Sequence, residues 1–507
     1  MNLRLVHARC QAEFSLDALR ETGVLDLFKI FAEKKEEKEI FLFLQTYCTC
    51  DQEEIRLRNH ILLALTKIPN GINRLRRMIK QKENLQYQQK RLYHPEERLR
   101  FCVNVANLLK TWKESIDAVT DCIGSSQEDS LAPIKEEISQ FLQRPESLKW
   151  MELGEKIEGC FPFPREVLLG VNIQADYSAD AFGVIGILED GAEQTPMLGM
   201  SPIRPTRELG VLERRIAGQL EKQYRKGANR AFQFIKELDF SVIEEWTDFL
   251  DDFEFYLCGV KLFALFQERG YQQTCPVLGE EGLAARQLVN PLLALSEHRQ
   301  VFPVDLACKN GAAVIISGLN RSGKTTLVKS VAQGMFLSQM GYFLPAQEWA
   351  ATPKRNFLSL FSAGEAEGFT KSRFRAELDV YRQMEQTATA ESAVFFNEPF
   401  TSTNFNEAIQ IGIQAVERLT KKGASVFFAT NMIEIPFLFL QSPSAPVVSV
   451  LTEKRADRSY AAEEKYPDFE FISRNISLEY RLSFDELLEN KWDRERVRTF
   501  LKEVNAE

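Results

Sequence analysis

The sequence has 507 residues, 44% of them apolar and 27% charged, an ordinary globular composition that excludes a disordered or fibrous chain. Sixty-three basic against 72 acidic side chains leave a net charge of -9, which excludes coating of nucleic acid by bulk charge but allows a local basic groove. Four histidines argue against a His-rich metal centre, 37 phenylalanines can fill a large core, and the length corresponds to about three domains. The nine cysteines are scattered and only Cys48 and Cys50 are close, which reads as reduced, buried thiols. The N-terminus carries charges where a signal peptide needs an apolar stretch. No run approaches the ~18 apolar residues of a membrane span. The expectation is a cytoplasmic protein with no membrane partner.

In chain order, residues 1–165 read as helices. Leu57, Ile61, Leu62, Leu65 and Ile68 form one stripe at helical spacing. The run AEKKEEKE around Glu33 reads as a solvated helix face, and a linker is expected from Gly124. Residues 166–205 form a short strand-rich island, because EVLLGVNI and FGVIGILEDG are β-branched and bounded by glycine. Helices return over 206–272. Leu209, Leu212, Ile216, Leu220 and Tyr224 share one face, and Ile243, Trp246, Phe249, Phe253, Leu257 and Val260 another. Residues 273–482 alternate between strands and helices. AAVIIS, SAVFF, SVFFAT and VVSVL are continuous apolar runs, as buried parallel strands require. Residues 483–507 read as a C-terminal helix opened by the capping box Ser483-x-x-Glu486.

The strongest chemical signal is Gly318-Leu-Asn-Arg-Ser-Gly323-Lys324-Thr325, which matches G-x-x-x-x-G-K-[ST] between a strand and a helix. Its glycines allow a nest of N–H groups around phosphate oxygens, with Gly318, Asn320, Arg321, Ser322, Gly323, Lys324, Thr325 and Thr326 as candidate nucleotide-binding residues. Lys324 would reach the β- and γ-phosphates and Thr325 would ligate Mg²⁺. The second element is SAVFF-Asn397-Glu398, an apolar strand ending where two acidic residues would make a usual Walker B. Glu398 keeps the carboxylate that polarises the attacking water. Asn397 can accept a hydrogen bond from a metal-bound water but carries no charge, so either Mg²⁺ binding and hydrolysis are weakened or Thr325, the phosphates and Glu398 suffice.

These motifs, taken together, resemble the MutS mismatch-repair ATPase family, of the ABC-type P-loop class. GLNRSGKTT resembles the family's G-P-N-M-G-G-K-S-T, including Asn320. QMGYFLPA resembles its I-G-x-x-V-P-A strand, and SAGEAEGFTKSRFRAEL its signature segment, with Ser372, Phe374 and Glu377 on the signature positions. Thr401 to Thr403 resemble the D-loop. FFATN resembles F-A-T-H, with Asn431 in place of the switch histidine, and NISLEYRL the closing strand. The resemblance implies a multidomain fold: a mostly α-helical core and lever region followed by an α/β P-loop ATPase domain of ABC type. It also implies ATP and Mg²⁺ as cofactors and a homodimer through the ATPase domain. Ser372 would then act in trans on ATP held by the partner, and ATP binding would become a clamp that moves the lever helices.

Several features depart from that pattern. No mismatch-reading domain is expected before the helices. Phe31-Ala32-Glu33 has the letters of the family's Phe-x-Glu wedge but lies in a helical, charge-rich stretch. The island at 166–205 sits at the DNA-clamp position and is short for a complete clamp, and no nuclease-like tail is expected. The nine basic residues from Arg74 to Arg100, with Arg74, Arg76, Arg77 and Lys80 foremost, face three glutamates for a net +6. They could track a phosphate backbone or be a solvated helix face. Lys222, Arg225, Lys226 and Arg230 form a smaller patch. The expected function is a dimeric, slowly hydrolysing ATP-operated clamp on DNA, branched or recombining DNA included, that reads no mismatch. The alternatives are an ATP-binding interaction module with little or no hydrolysis or DNA binding and, less suited to the motifs, another P-loop enzyme such as a kinase.

Overall fold

The computed structural model describes residues 3, 5–6, 12–32, 36–92, 98–124, 126, 128–158, 166–173, 179–188, 224–279, 281–296, 301–361, 370–441, 445–454 and 460–466. The expected stripe from Leu209 to Leu220, Lys222, Glu33, the NISLEYRL strand and the Ser483/Glu486 cap lie outside the described residues. So does most of the 166–205 island beyond its two strands. The strands, in chain order, are β1 (Glu13–Phe14), β2 (Glu166–Ile173), β3 (Ala179–Leu188), β4 (Val277–Leu278), β5 (Gly282–Leu288), β6 (Val304–Lys309) and β7 (Ala313–Ser317). They continue with β8 (Glu348–Ala351), β9 (Asn356–Phe361), β10 (Ser392–Asn397), β11 (Ser425–Thr430), β12 (Val447–Lys454) and β13 (Tyr460–Glu464).

The chain forms two units that cut across the expected boundary at 165. One holds Met1–Leu5 and Lys67–Leu257, and the other Val6–Thr66 and Cys258–Glu507. Among the described residues the first unit is helical apart from the antiparallel hairpin of β2 and β3. Helices Gly71–Lys90 and Arg98–Gly124 pack along one another, burying Leu75, Met78 and Leu85 from the first at helical spacing. Its core is built on tryptophan. Trp112 meets Trp150 at 6.3 Å between ring centroids, and Trp246 stacks on Phe141 at 5.5 Å. Two indole N–H groups that burial would strand are partnered: Trp150 donates to the Asp239 carbonyl and Trp246 to the Ser115 hydroxyl, each at 2.8 Å.

The second unit centres on a seven-stranded sheet of order β1-β9-β10-β11-β7-β12-β13. Every pairing in it is parallel except β12 with β13. Every residue of β7 and β11 is buried, which explains their unbroken apolar runs: helices cover both faces. Val394, Phe396 and Phe428 pack on one face with the Ala408, Ala415, Val416 and Leu419 stripe of helix Phe405–Lys421. Phe395 and Phe427 point to the other face and stack at 5.4 Å. A smaller sheet runs β4-β8-β5-β6.

Two local readings change. QMGYFLPA is not a strand: Gly341 ends helix Lys324–Met340 in the left-handed region, Leu344 makes only an isolated bridge to Thr274, and β8 starts at Glu348. Within 1–165, Glu13–Phe14 is a strand paired in parallel with Asn356–Phe357. The reason that 6–66 group with the segment from Cys258 onward is packing. Phe14 meets Phe336 at 5.3 Å, and Gln333 donates to the Thr22 carbonyl at 3.0 Å. Helix Lys324–Met340 is thereby buried along all of 330–340.

Candidate nucleotide-binding site

β7, β10 and β11 end level with one another. Ser317 pairs with Thr430, and Asn397 with Ala429. Ligands of open α/β sheets bind at this carboxyl edge. Here the chain leaves β7 and enters helix Lys324–Met340 through the 318–323 loop. Gly318 has φ +150°, and a Cβ on it would lie 2.5 Å from the Thr452 carbonyl oxygen. Arg321 at φ 66° and Gly323 at φ +102° complete the turn, with Gly323 as the helix N-cap. The first helical N–H groups therefore open into the loop, the arrangement that attracts phosphate.

Each predicted loop residue has an assignable place. Asn320 and Arg321 are exposed at the tip. The Ser322 hydroxyl lies 2.6 Å from the Thr452 hydroxyl, which reaches the Ser317 carbonyl at 3.1 Å; Ser322 thus pins the loop to β12. Lys324 is 3% exposed. Its ammonium donates to the Gly318 and Leu319 carbonyls at 3.0 and 2.9 Å and lies 3.3 Å from a Glu398 carboxylate oxygen. The Thr325 hydroxyl donates to Asn397 Oδ1 at 2.7 Å. Thr326 gives its carbonyl to the Asn290 side chain at 3.2 Å. The structure therefore brings Lys324, Thr325, Asn397 and Glu398 together from two motifs far apart in sequence.

The residues after β10 are held under strain. Glu398 has φ 49° and Phe400 φ 64°. The Glu398 N–H is tied to the Ala429 carbonyl at 2.9 Å, and the Phe400 N–H to a Glu377 carboxylate oxygen at 3.0 Å. The same oxygen accepts from the Ser402 hydroxyl at 3.4 Å. Glu377, 7% exposed, thus braces the turn that aims Glu398. Asn431 is exposed immediately after β11. Ser372 lies in helix Thr370–Thr387, and its side chain is outside the described ones.

A cavity of about 940 Å³ opens on this edge, within the range of small-molecule sites. Lys324, Thr325 and Glu398 line one part of it, and Leu293, Phe302 and Tyr460 another. Sequence reasoning missed Asn290, Phe302, Tyr460 and the bracing role of Glu377. Asn290 alone carried a local signal, an N-cap followed by Pro291 at the helix start. Its side chain also donates to Ser330 at 3.0 Å, fixing the short helix against the loop helix. The donor set fits a triphosphate with a divalent cation: a buried ammonium, a helix N-terminus, a hydroxyl and one carboxylate. Among the described residues no cluster of three or more His, Cys, Asp or Glu could hold a metal by itself.

The basic stretch is partly committed elsewhere. Arg74 donates to the Asp121 carbonyl at 2.6 Å, near the end of helix Arg98–Gly124, and Arg77 lies 3.9 Å from the Asp121 carboxylate. Lys82 is paired with Asp251 and Glu254 at 2.7 and 3.5 Å. Arg76, Arg77 and Lys80 are exposed. Phe31, the first letter of the wedge-like triplet, is fully buried against Phe28 at 4.8 Å and cannot probe a base pair. No helix among the described residues is long and apolar enough to cross a membrane.

The family model of MutS domain V matches residues 314–464, from inside β7 to the end of β13. This segment is similar to the MutS family at low identity. The DNA mismatch repair protein MutS of Thermotoga sp. (strain RQ2) is 25% identical over 207 residues, 38% of this chain and 26% of that protein. The MutS of Thermotoga neapolitana is 26% identical over 166 residues, 30% of this chain and 21% of that protein. The endonuclease MutS2 of Clostridium botulinum (strain Loch Maree) is 25% identical over 242 residues, 43% of this chain and 30% of that protein. The chain spans under a third of the length of these relatives.

Proposed function

We propose that this chain is a member of the MutS family and a slow, Mg²⁺-dependent ATPase that works as a homodimer and uses ATP to clamp DNA. The observation that carries the reading is the meeting of Lys324, Thr325, Asn397 and Glu398 at the carboxyl edge of the sheet. In this reading the N–H groups from Gly318 to Thr326 and the Lys324 ammonium hold the phosphates. Thr325 and, through a water, Asn397 would hold Mg²⁺, which would supply charge neutralisation on them. A phosphate that engages Lys324 replaces its ion pair with Glu398, leaving that carboxylate to polarise the attacking water. Turnover is slow because Asn397 offers the cation a dipole where a carboxylate would offer a charge. Ser372 completes the site in trans. Asn431, beyond β11, takes the position that senses the phosphate.

DNA binding is assigned to Arg76, Arg77 and Lys80 with Arg74 behind them. The relatives named as mismatch repair proteins favour this assignment at the level of the family. A second reading, ATP binding without turnover or DNA binding, is favoured by Asn397 and Asn431 standing where charged or titratable groups are expected. One experiment separates the two: ATP hydrolysis by the purified chain with and without linear, mismatched and branched DNA, beside Glu398→Ala. Turnover that the variant abolishes supports the ATPase. ATP binding with turnover no higher than the Glu398→Ala background supports the second reading. In the same preparation, neutralising Arg74, Arg76 and Arg77 should weaken DNA binding. Its salt dependence should flatten by about one unit of slope for each phosphate no longer neutralised.

A further inference from the structure

Glu21 stands where local physics disfavours a carboxylate. It is the last residue of helix Leu16–Glu21, whose C-terminal end repels negative charge, and it is half-buried. Burial pushes its carboxyl above the ordinary glutamate value. What holds it there lies on β9. The Ser359 hydroxyl donates to Glu21 Oε2 at 2.5 Å, and the Phe361 N–H donates to the same carboxylate. The need for such an acceptor follows from the shortness of β1. That strand stands opposite Asn356 and Phe357 alone, so beyond them one side of β9 has no strand partner among the described residues. Helix Leu16–Glu21 packs along β9 and brings a carboxylate to the N–H that β1 leaves over.

Phe361 is also where β9 meets the site. It pairs in parallel register with Asn397, whose Oδ1 accepts from the Thr325 hydroxyl. Lys329 lies one helical turn beyond Thr325. Its ammonium is 5.9 Å from the centre of the Phe361 ring and attracts the Glu21 carboxylate. Phe361 is therefore tied to Glu21 and joined across the sheet to Asn397. That second link matters because Asn397 is an amide. A carboxylate attracts a cation from any angle, whereas an amide dipole does so only when its oxygen points at the ligand.

We propose that Glu21 is a positioning residue for the cation side of the nucleotide site: by fixing the end of β9 it fixes the direction of Asn397. The inference rests on the reading of Thr325 and Asn397 as holders of Mg²⁺, and goes beyond it by making their geometry depend on the N-terminal segment. Glu21 acts through Phe361 and Asn397 and takes no part in binding the phosphates. Removing its carboxylate therefore weakens binding of ATP with Mg²⁺ but not of ATP alone.

The test is equilibrium binding of ATP to the full chain in Mg²⁺ and in EDTA, as wild type, Glu21→Ala, Glu21→Gln and Ser359→Ala, with urea unfolding of each. In Mg²⁺, Glu21→Ala should lose about twofold to thirtyfold in ATP affinity, the range of couplings carried through packed neighbours. Affinity in EDTA should be unchanged. Glu21→Gln and Ser359→Ala, which each keep an acceptor for the Phe361 N–H, should lose less and serve if Glu21→Ala does not fold. Equal affinity in Mg²⁺ for wild type and every variant overturns the inference while leaving the nucleotide site intact. Equal loss in Mg²⁺ and EDTA also overturns it, because Glu21 would then only support the fold around the loop. Wild-type affinity that Mg²⁺ does not raise overturns the reading of Thr325 and Asn397 as cation holders. Absence of ATP binding by the wild type overturns the nucleotide reading itself.

Discussion

Among the described non-glycine residues with left-handed backbone, Asn70 alone belongs to the helical unit, whereas Gln287, Arg321, Glu398 and Phe400 belong to the unit that carries the phosphate loop. Asn70 does nothing unusual, since it starts helix Gly71–Lys90 with a residue type that tolerates that geometry. Arg321, Glu398 and Phe400 stand at the cavity edge or in the turn behind it, each at a cost of about 1–3 kcal/mol. The helical unit thus holds regular backbone together by filling space with rings. In the other unit, part of the packing energy goes into holding three residues where chemistry needs them. Strain at Glu398 and Phe400 is local to the site and is opposed by identifiable hydrogen bonds, those to Ala429 and Glu377.

That contrast can be broken by mutation. The largest expected effect is in the helical unit. Trp246→Ala removes a fully buried ring stacked on Phe141 and takes from the Ser115 hydroxyl the indole N–H it accepts. It should cost about 3–5 kcal/mol of stability, measured by urea unfolding. A loss below about 1 kcal/mol would mean that ring packing is not what holds this unit. Glu377→Ala should cost about 1–3 kcal/mol through the unsatisfied Phe400 N–H, and should also depress ATP turnover. Stability lowered with turnover intact would detach the brace from the site.

The smallest effect concerns the opposite edge of the sheet. Lys354 is 1% exposed, donates to Asn310 Oδ1 at 2.7 Å and to the Ala390 carbonyl at 3.1 Å, and has its ammonium pushed down by burial to about 8. The ordinary lysine value is 10.5, so between the two values the unfolded chain binds the proton more tightly than the folded one. Stability from this group therefore rises with pH across that window. Relative to Lys354→Met, the wild type should gain on the order of 1 kcal/mol per pH unit above about pH 8. A difference independent of pH would show that Lys354 titrates as an exposed lysine does.

What was legible in the sequence follows from how local each requirement is. The 318–325 loop announces itself because one short backbone turn needs its glycines, its lysine and its threonine in fixed order. Asn397 and Glu398 are readable because they end an apolar run. The parallel strands are readable because burial on both faces leaves no polar alternation. The partnership of Glu377 with Phe400, and the meeting of Phe302 with Tyr460, depend on chain segments that only folding brings together. β1 was invisible for a simpler reason. Two residues are too few to show a period of two, and their partners at Asn356–Phe357 lie across most of the chain. The count of charges from Arg74 to Arg100 likewise could not reveal that Arg74 is occupied by the Asp121 carbonyl.

The pairing of β1 with β9 has a consequence for biosynthesis. The unit that carries the phosphate loop is discontinuous: its first segment ends at Thr66, and its second resumes at Cys258. On a ribosome adding roughly 5–20 residues per second, the intervening stretch takes on the order of ten to forty seconds to emerge. Throughout that interval Phe14, Phe28 and Phe31 have been made, but Phe336 and Tyr342, their partners, have not. Until then those side chains lack these native partners. The open sheet edge at β9 then closes only when the oldest part of the polypeptide meets one of the newest. The first sixty-odd residues therefore complete this part of their core only after more than half of the chain has been made.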